Sequence, residues 1–179
     1  MARVQRGDKA CFATLIRRHL DALYSYAMRL SRSPASAEDL VQETCLAAWQ
    51  HASRYRPKKA RVTTWLHSIL HNKFVDAMRK SAPEYDNEAV AAALAEGSTD
   101  SHVVTTQQQQ MLLELIGDLP IEQRSAILLT YMQSFSNREV AQIMNISPRA
   151  LESLLARARV TLKDKASVEP APIQPVNTI

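Results

Sequence analysis

The sequence predicts an all-α fold of two small helical domains joined by a flexible linker. Three observations predict it. Only three of the 179 residues are glycine (Gly7, Gly97, Gly117), and Ala, Leu, Arg and Gln are abundant. Such a composition favours helix and leaves little material for hairpin turns. Apolar residues recur at three- and four-residue spacing in successive stretches, as they do in helices with one buried face. Charge then divides the chain. From Arg54 to Lys80 there are eight basic residues (Arg54, Arg56, Lys58, Lys59, Arg61, Lys73, Arg79, Lys80) and one acid, Asp76; residues 81–106 hold five acids (Glu84, Asp86, Glu88, Glu96, Asp100) and no Lys or Arg.

A basic block followed by an acidic, Ala/Ser/Thr-rich stretch marks a domain boundary. The acidic stretch has too few large apolar residues to bury a core, so it reads as a linker with at most a short helix around Glu88 to Leu94. The expected organisation is an N-terminal domain over 1–80, a linker over 81–106, a C-terminal domain over 107–165 and a disordered tail over 166–179, where Pro170, Pro172 and Pro175 fall.

Gly7 to Leu30 reads as one amphipathic helix, with Phe12, Leu15, Ile16, Leu23, Ala27 and Leu30 inward and Arg17, Arg18 and Arg29 outward. Ser31 to Pro34 breaks it. A second helix follows from about Ala35 to Ala52, with Ser36 and Asp39 at capping spacing. Its core positions are Ala37, Leu40, Val41, Thr44 and Ala48. Asp39, Gln42, Glu43, Leu46 and Trp49 fall on other faces, a mixture of carboxylate, amide and large apolar groups that suits a protein interface. Periodicity alone slightly favours Leu46 and Trp49 as core.

Arg54 to Arg61 forms a basic loop, RYRPKKAR. Thr63 or Thr64 then caps a helix to about Lys80 that buries Leu66, Ile69, Leu70, Phe74 and Met78. Trp65, His67, His71, Asn72, Lys73, Asp76, Arg79 and Lys80 remain on or near the outer face. Cations that hold phosphates beside an aromatic that stacks on bases fit single-stranded or melted nucleic acid. The simpler alternative is a solvated charged face with a half-buried Trp.

Past the linker, a helix over about Thr105 to Ile116 turns Met111, Leu112, Leu115 and Ile116 inward and ends at Gly117. The next, Ile121 to Met132, turns Ile127, Leu128 and Tyr131 inward. Residues Ser136 to Lys163 then carry helix-turn-helix grammar. Ser136 and Glu139 have capping-box spacing. Val140, Ile143 and Met144 form a stripe, and Asn145 tolerates the left-handed backbone of a tight turn. Ser147 is an N-cap residue, followed by Pro148 at the first helical position. Leu151, Leu154, Leu155 and Ala158 face inward. Arg149, Glu152, Ser153, Arg157 and Arg159 face outward, as in a helix that enters a DNA major groove.

Other chemistries find little support. Cys11 and Cys45 lie far apart without a partner motif and read as small buried residues in a reducing compartment. No apolar run nears the ~20 residues of a membrane span and no signal peptide opens the chain, so a soluble cytoplasmic protein is expected. His67 and His71 are four apart, but no HExxH pattern or third ligand accompanies them, so they are expected to face solvent or DNA. With no nucleophile grouping and no Gly-rich phosphate loop, neither an enzyme nor a metal or other cofactor is expected.

Five ordered stretches resemble one family: GDKACFATLIRRH, AEDLVQETCLAAW, TWLHSILHNKFVDAMRK, LPIEQRSAILLTYM and SNREVAQIMNISPRALESLLARARVTL. Together, from Gly7 to about Leu162, they are similar to the landmarks of the extracytoplasmic-function (ECF) sigma factors, promoter-specificity subunits of bacterial RNA polymerase. The resemblance implies sigma domain 2, a linker and sigma domain 4. It implies that Asp39, Gln42, Glu43, Leu46 and Trp49 bind the RNA polymerase core. It places Arg54, Lys58, Lys59, Arg61, Trp65, Asn72, Lys73, Asp76 and Arg79 against the minus-ten element of promoter DNA. Ser147, Arg149, Glu152, Ser153, Arg157 and Arg159 would serve the minus-thirty-five element. An anti-sigma factor is an implied partner. Three positions depart from the family pattern. Cys45 replaces a large apolar residue, Asn145 the common turn glycine, and Glu152 a frequent Lys, which shifts the expected base preference because a carboxylate accepts from cytosine N4. The competing class is a stand-alone helix-turn-helix regulator, against which the N-terminal stretches argue.

Overall fold

The computed structural model describes residues 1–81 and 107–168, and every regular element among them is helical. The N-terminal domain comprises α1 (Ala2–Gln5), α2 (Lys9–Arg17), α3 (Leu20–Ser31), α4 (Pro34–His51), a 3-10 turn (Ala52–Arg54) and α5 (Val62–Ser81). The C-terminal domain comprises α6 (Gln107–Gly117), α7 (Ile121–Ile127) with a π turn (Leu128–Met132), α8 (Asn137–Ile143) and α9 (Pro148–Val168). The expected linker helix around Glu88 to Leu94, most of the linker and the end of the tail lie outside the described residues.

The single helix expected over Gly7 to Leu30 is two. The chain breaks at Arg18 and His19, whose N–H groups reach back only three residues, to the carbonyls of Leu15 and Ile16 at 3.2 and 2.8 Å. The break separates two jobs. Helix α3 buries Leu23, Tyr26, Ala27 and Leu30, whereas α2 has no buried residue and leans on the outside. The apolar stripe continues across the break, so periodicity does not register it. Gly7, at φ +86°, makes the turn into α2, and the Asp8 carboxylate caps that helix by accepting from the Cys11 N–H at 2.9 Å.

Helix α4 begins at Pro34 rather than Ala35, and its cap is Ser33 rather than Ser36. The Ser33 hydroxyl accepts from the Ser36 N–H, and Pro34 takes the first position, where its missing donor costs nothing. Ala37, Leu40, Val41, Thr44 and Ala48 are buried as expected. Helix α5 starts at Val62, before either threonine expected to cap it, and buries Leu66, Leu70 and Phe74.

In the C-terminal domain Met111 and Leu112 face outward, against expectation, while Ile116 is buried. Tyr131 also faces outward, at 54% exposure. Its reason is the π turn over Leu128–Met132, within which Tyr131 lies off the α-helical register. Helix α9 continues to Val168, past the expected domain end at 165.

The two domains pack on each other. Buried residues of α3, α4 and α5 form one continuous apolar cluster with those of α6 to α9. The Arg124 guanidinium on α7 crosses between domains to donate to the Leu30 carbonyl at the end of α3, at 2.9 Å, and also to the Leu119 carbonyl at 3.2 Å. Arg32, a left-handed residue capping α3, reaches Asp118 at 3.2 Å. A Cβ on Gly117 would lie about 3.1 Å from this guanidinium, so a larger residue there would make the Arg32 side chain shift slightly.

Candidate functional site

On α4 the buried row Leu40, Val41, Thr44 and Ala48 turns the opposite face to solvent. Asp39, Gln42 and Glu43 are exposed, and Leu46 is 58% exposed. The slight preference of periodicity for a core Leu46 is therefore overturned: the two faces of α4 are separated, and Leu46 sits on the wet one. Trp49 is half-buried, with its ring edge-on to Phe12 of α2 at 5.1 Å. Helix α2 thus steadies Trp49 without covering it. Cys45, beside Leu46, is half-buried, and burial pushes its thiol pKa up.

The basic loop and α5 form a second surface. Arg54, Lys58, Lys59, Arg61, Asn72, Asp76 and Arg79 are exposed, and Trp65 and Lys73 are half-buried. Trp65 packs against Tyr55 at 5.0 Å, and the Tyr55 hydroxyl donates to the Ala60 carbonyl at 2.8 Å, folding the loop around the aromatic pair. Arg79 and Asp76 pair at 3.7 Å. Lys73 pairs with Glu43 of α4 at 3.2 Å, linking the first surface to the second.

His67 and His71 do not face solvent or DNA. They are 2% and 5% exposed, on the same side of α5 as Leu70 and Phe74. His71 Nδ1 lies 3.2 Å from the Tyr26 hydroxyl, and His67 Nδ1 lies 2.9 Å from the Thr63 carbonyl. Burial drives the His71 pKa down to about 4 and lowers that of His67, so both rings are neutral at neutral pH. Four-residue spacing puts them on one face, and here it is the inner one. Among the described residues no group of three His, Cys, Asp or Glu side chains is placed to hold a metal ion.

The third surface belongs to α8 and α9. The capping box forms in full: the Glu139 N–H donates to the Ser136 hydroxyl, and the Ser136 N–H donates to the Glu139 carboxylate at 3.1 Å. Asn145 adopts the left-handed turn at φ +54°. The Ser147 hydroxyl caps α9 by accepting from the Ala150 N–H at 3.2 Å. Leu151, Leu154, Leu155 and Ala158 are buried, leaving Arg149, Glu152, Ser153 and Arg157 exposed. Arg159 is drawn aside. It donates to the Tyr131 hydroxyl at 2.6 Å and its guanidinium lies 6.0 Å from the Tyr131 ring centroid.

Between the second and third surfaces lies a cleft of about 470 Å³ lined by Lys58, Lys59, Arg61, Arg138, Glu139 and Gln142, among others. Thr64, only 1% exposed, donates to the Glu139 carboxylate at 3.3 Å, and Arg61 approaches it at 3.6 Å. Gln142 donates to the Lys59 carbonyl at 3.1 Å. Hydrogen bonds from Ser136, above all, hold the Glu139 carboxyl below the usual carboxylate range, with Arg61 and Thr64 adding to the effect. Sequence reasoning assigned Glu139 to capping alone and gave Thr64, Gln142 and Arg124 no part in any site. Glu139 and Thr64 carry local capping signals, and neither signal names the contact that joins them.

Two family models match the chain: sigma-70 region 2 over residues 15–84 and sigma-70 region 4 over residues 109–162. The ECF RNA polymerase sigma factor SigM of Bacillus subtilis (strain 168) is 30% identical over 146 residues, covering 81% of this chain and 88% of that protein. Among solved structures, CnrH in complex with the cytosolic domain of CnrY is similar with a TM-score of 0.69 and 26% identity, over 94% of this chain and 95% of that one. The sigma factor RpoE of Bartonella quintana, in complex with the anti-sigma factor NepR, gives a TM-score of 0.67 and 26% identity over 88% and 98%. A basic, aromatic-bearing helix, a capped helix-turn-helix and these matches in the same order lead to one conclusion: the chain belongs to the ECF sigma factors of the sigma-70 family, which direct RNA polymerase to initiate transcription at specific promoters.

Proposed function

We propose that the chain performs this role through three separate surfaces and without catalysis of its own. The exposed face of α4 (Asp39, Gln42, Glu43, Leu46, Trp49) docks on the RNA polymerase core. An apolar anchor rimmed by carboxylate and amide groups is what a protein partner recognises, and the 58% exposure of Leu46 is the observation that carries this reading. Arg54, Lys58, Lys59, Arg61, Trp65, Asn72, Lys73, Asp76 and Arg79 hold the minus-ten element, with cations on phosphates and Trp65 beside an unstacked base. On α9, Arg149, Glu152 and Ser153 read base edges of the minus-thirty-five element, while Ser147 and Arg157 meet its backbone. Arg159 is the weakest member of this set, because Tyr131 already engages it.

An anti-sigma factor holds the protein inactive until a signal releases it. CnrH and RpoE, similar to this chain over both domains, are seen bound to CnrY and to the anti-sigma factor NepR. The site of action is the cytoplasm, where polymerase and promoter are found. No helix among the described residues is long and apolar enough to cross a membrane.

Run-off transcription with purified core polymerase over a promoter library tests this function. Initiation at a shared two-element motif is expected, and Leu46→Asp should abolish it by preventing core binding. Failure of the unaltered chain to bind core polymerase would overturn the reading.

A further inference from the structure

The basic loop is tied from the far end of its domain. Helix α1 has no part in the continuous apolar cluster that joins α3, α4 and α5, yet its Val4 is 2% exposed. The helix packs instead on the 3-10 turn at Ala52–Arg54, where Ala52 and Tyr55 are buried and likewise stand outside that cluster. The chain turns out of α1 at Gly7, at φ +86°, and an Arg3–Asp8 ion pair at 2.8 Å closes the turn. So held, the Gln5 side-chain amide donates to the Tyr55 carbonyl, 50 positions away, at 2.8 Å.

Tyr55 needs that donor. It ends the 3-10 turn in extended backbone, at ψ 132°, so its carbonyl has left the helical ladder in a residue that is buried. A carbonyl so placed is costly if it stays unpaired. The other groups of Tyr55 are tied as well. Its N–H donates to the Ala52 carbonyl at 3.2 Å, its hydroxyl donates to the Ala60 carbonyl at 2.8 Å, and its ring packs on Trp65 at 5.0 Å. Between Tyr55 and Ala60 the Arg56 carbonyl accepts from the Lys59 N–H at 3.0 Å, a β-turn with Pro57 at its second position. Arg56, Lys58 and Lys59 stand exposed on this clasped turn.

An unfixed loop loses about 1–2 kcal/mol of backbone entropy per residue when a ligand orders it. A loop ordered beforehand avoids that loss, and its contacts then count in full. The ties on Tyr55 therefore govern how well the loop cations and Trp65 act together. Those to Ala52, Ala60 and Trp65 are local, and Gln5 alone of these partners comes from a distant segment.

We propose that Gln5 is a positioning residue for strand capture: through the Tyr55 carbonyl, α1 holds the loop from Tyr55 to Arg61 in the shape that sets its cations beside Trp65, so the DNA strand meets a preformed cradle. Gln5 acts on the strand only through the loop. This proposal rests on the reading that the Arg54 to Arg79 surface contacts the minus-ten element.

The test is selection by holoenzyme of short single-stranded DNA from a randomised pool, followed by binding of the enriched motif as a fluorescein-labelled strand. Gln5→Met keeps the length and the net charge of the side chain and removes the donor. It should weaken binding of the motif strand by about threefold to tenfold, while a scrambled strand of the same composition binds as before. Affinity for core polymerase and the thermal unfolding midpoint should match those of the unaltered chain. Tyr55→Phe keeps the ring and opens the clasp to Ala60, and it should give the same pattern. Equal losses for the motif and scrambled strands, or a loss of core binding, would assign Gln5 to general stability and overturn positioning. Unchanged motif binding in Gln5→Met, while Trp65→Ala weakens it, would overturn positioning and leave the promoter surface standing. Enrichment of no motif, or Trp65→Ala without effect, would overturn the promoter reading and the positioning with it.

Discussion

The two surfaces assigned to DNA share their chemistry and differ in access. At the head of α5, Thr64 is buried beneath the opposite domain and Arg61 faces a carboxylate. On α9, Arg149, Glu152 and Ser153 stand exposed, and the hydrogen bonds that Ser153 and Arg157 make run along their own helix. One surface is therefore open and the other partly covered. The difference teaches that residue type sets what a surface can bind, while packing sets when it can bind it. It also predicts an order of events. The α4 face is open from the outset, so core docking precedes capture of the melted strand.

The sharpest way to break the comparison is to remove the floor of the open surface. Leu151 is fully buried under α9. Leu151→Ala should cost about 2–5 kcal/mol of C-terminal domain stability through lost burial and a cavity. Thermal unfolding should show the loss, with minus-thirty-five-dependent initiation lost alongside. Retention of full minus-thirty-five use at the working temperature would mean that α9 does not depend on this core.

Acid attacks the covered surface from beneath. The His71 pKa is about 4 in the folded chain, below the ordinary 6.5, so the unfolded chain binds the proton more tightly. Its contribution is present in full above about pH 6.5 and is lost as pH falls towards 4, amounting to roughly 3 kcal/mol. The lowered value of His67 acts in the same direction. Urea titrations across that window should show stability falling with pH, and His71→Gln should flatten the slope. An unchanged slope in that variant would assign the acid sensitivity elsewhere.

The smallest effect concerns specificity alone. Glu152→Lys should change the preferred minus-thirty-five base by about 1–3 kcal/mol, without touching core binding or the covered surface. Promoter selection from a randomised library reads this directly, and an unchanged preference would return Glu152 to plain helix surface.

How much of this was legible beforehand follows from how far each signal reaches along the chain. The capping box at Ser136 and Glu139, the left-handed Asn145, the Ser147 cap and the buried leucines of α9 were all readable, because each is decided within about one helical turn. The buried row of α4 was equally readable. The break at His19 was not, because the apolar stripe runs through it. Nor was the outward turn of Tyr131, since a π turn changes register without a marker residue. The sequence alone puts His67 and His71 outside, because polar residues on a basic helix look wet. In fact Tyr26 and Phe135, distant in sequence, enclose them.

By itself, then, the sequence determined the helices, their order, the charge boundary and the composition of each candidate surface, since helix formation and capping depend on near neighbours. Tertiary structure alone decided which surfaces are free. Thr64 and Glu139 are 75 positions apart, and Leu30 and Arg124 are 94 apart. Helical periodicity states that a face must be buried and is silent on what buries it. That choice is made by shape and by leftover donors and acceptors, and here it sets one DNA-binding domain over the other.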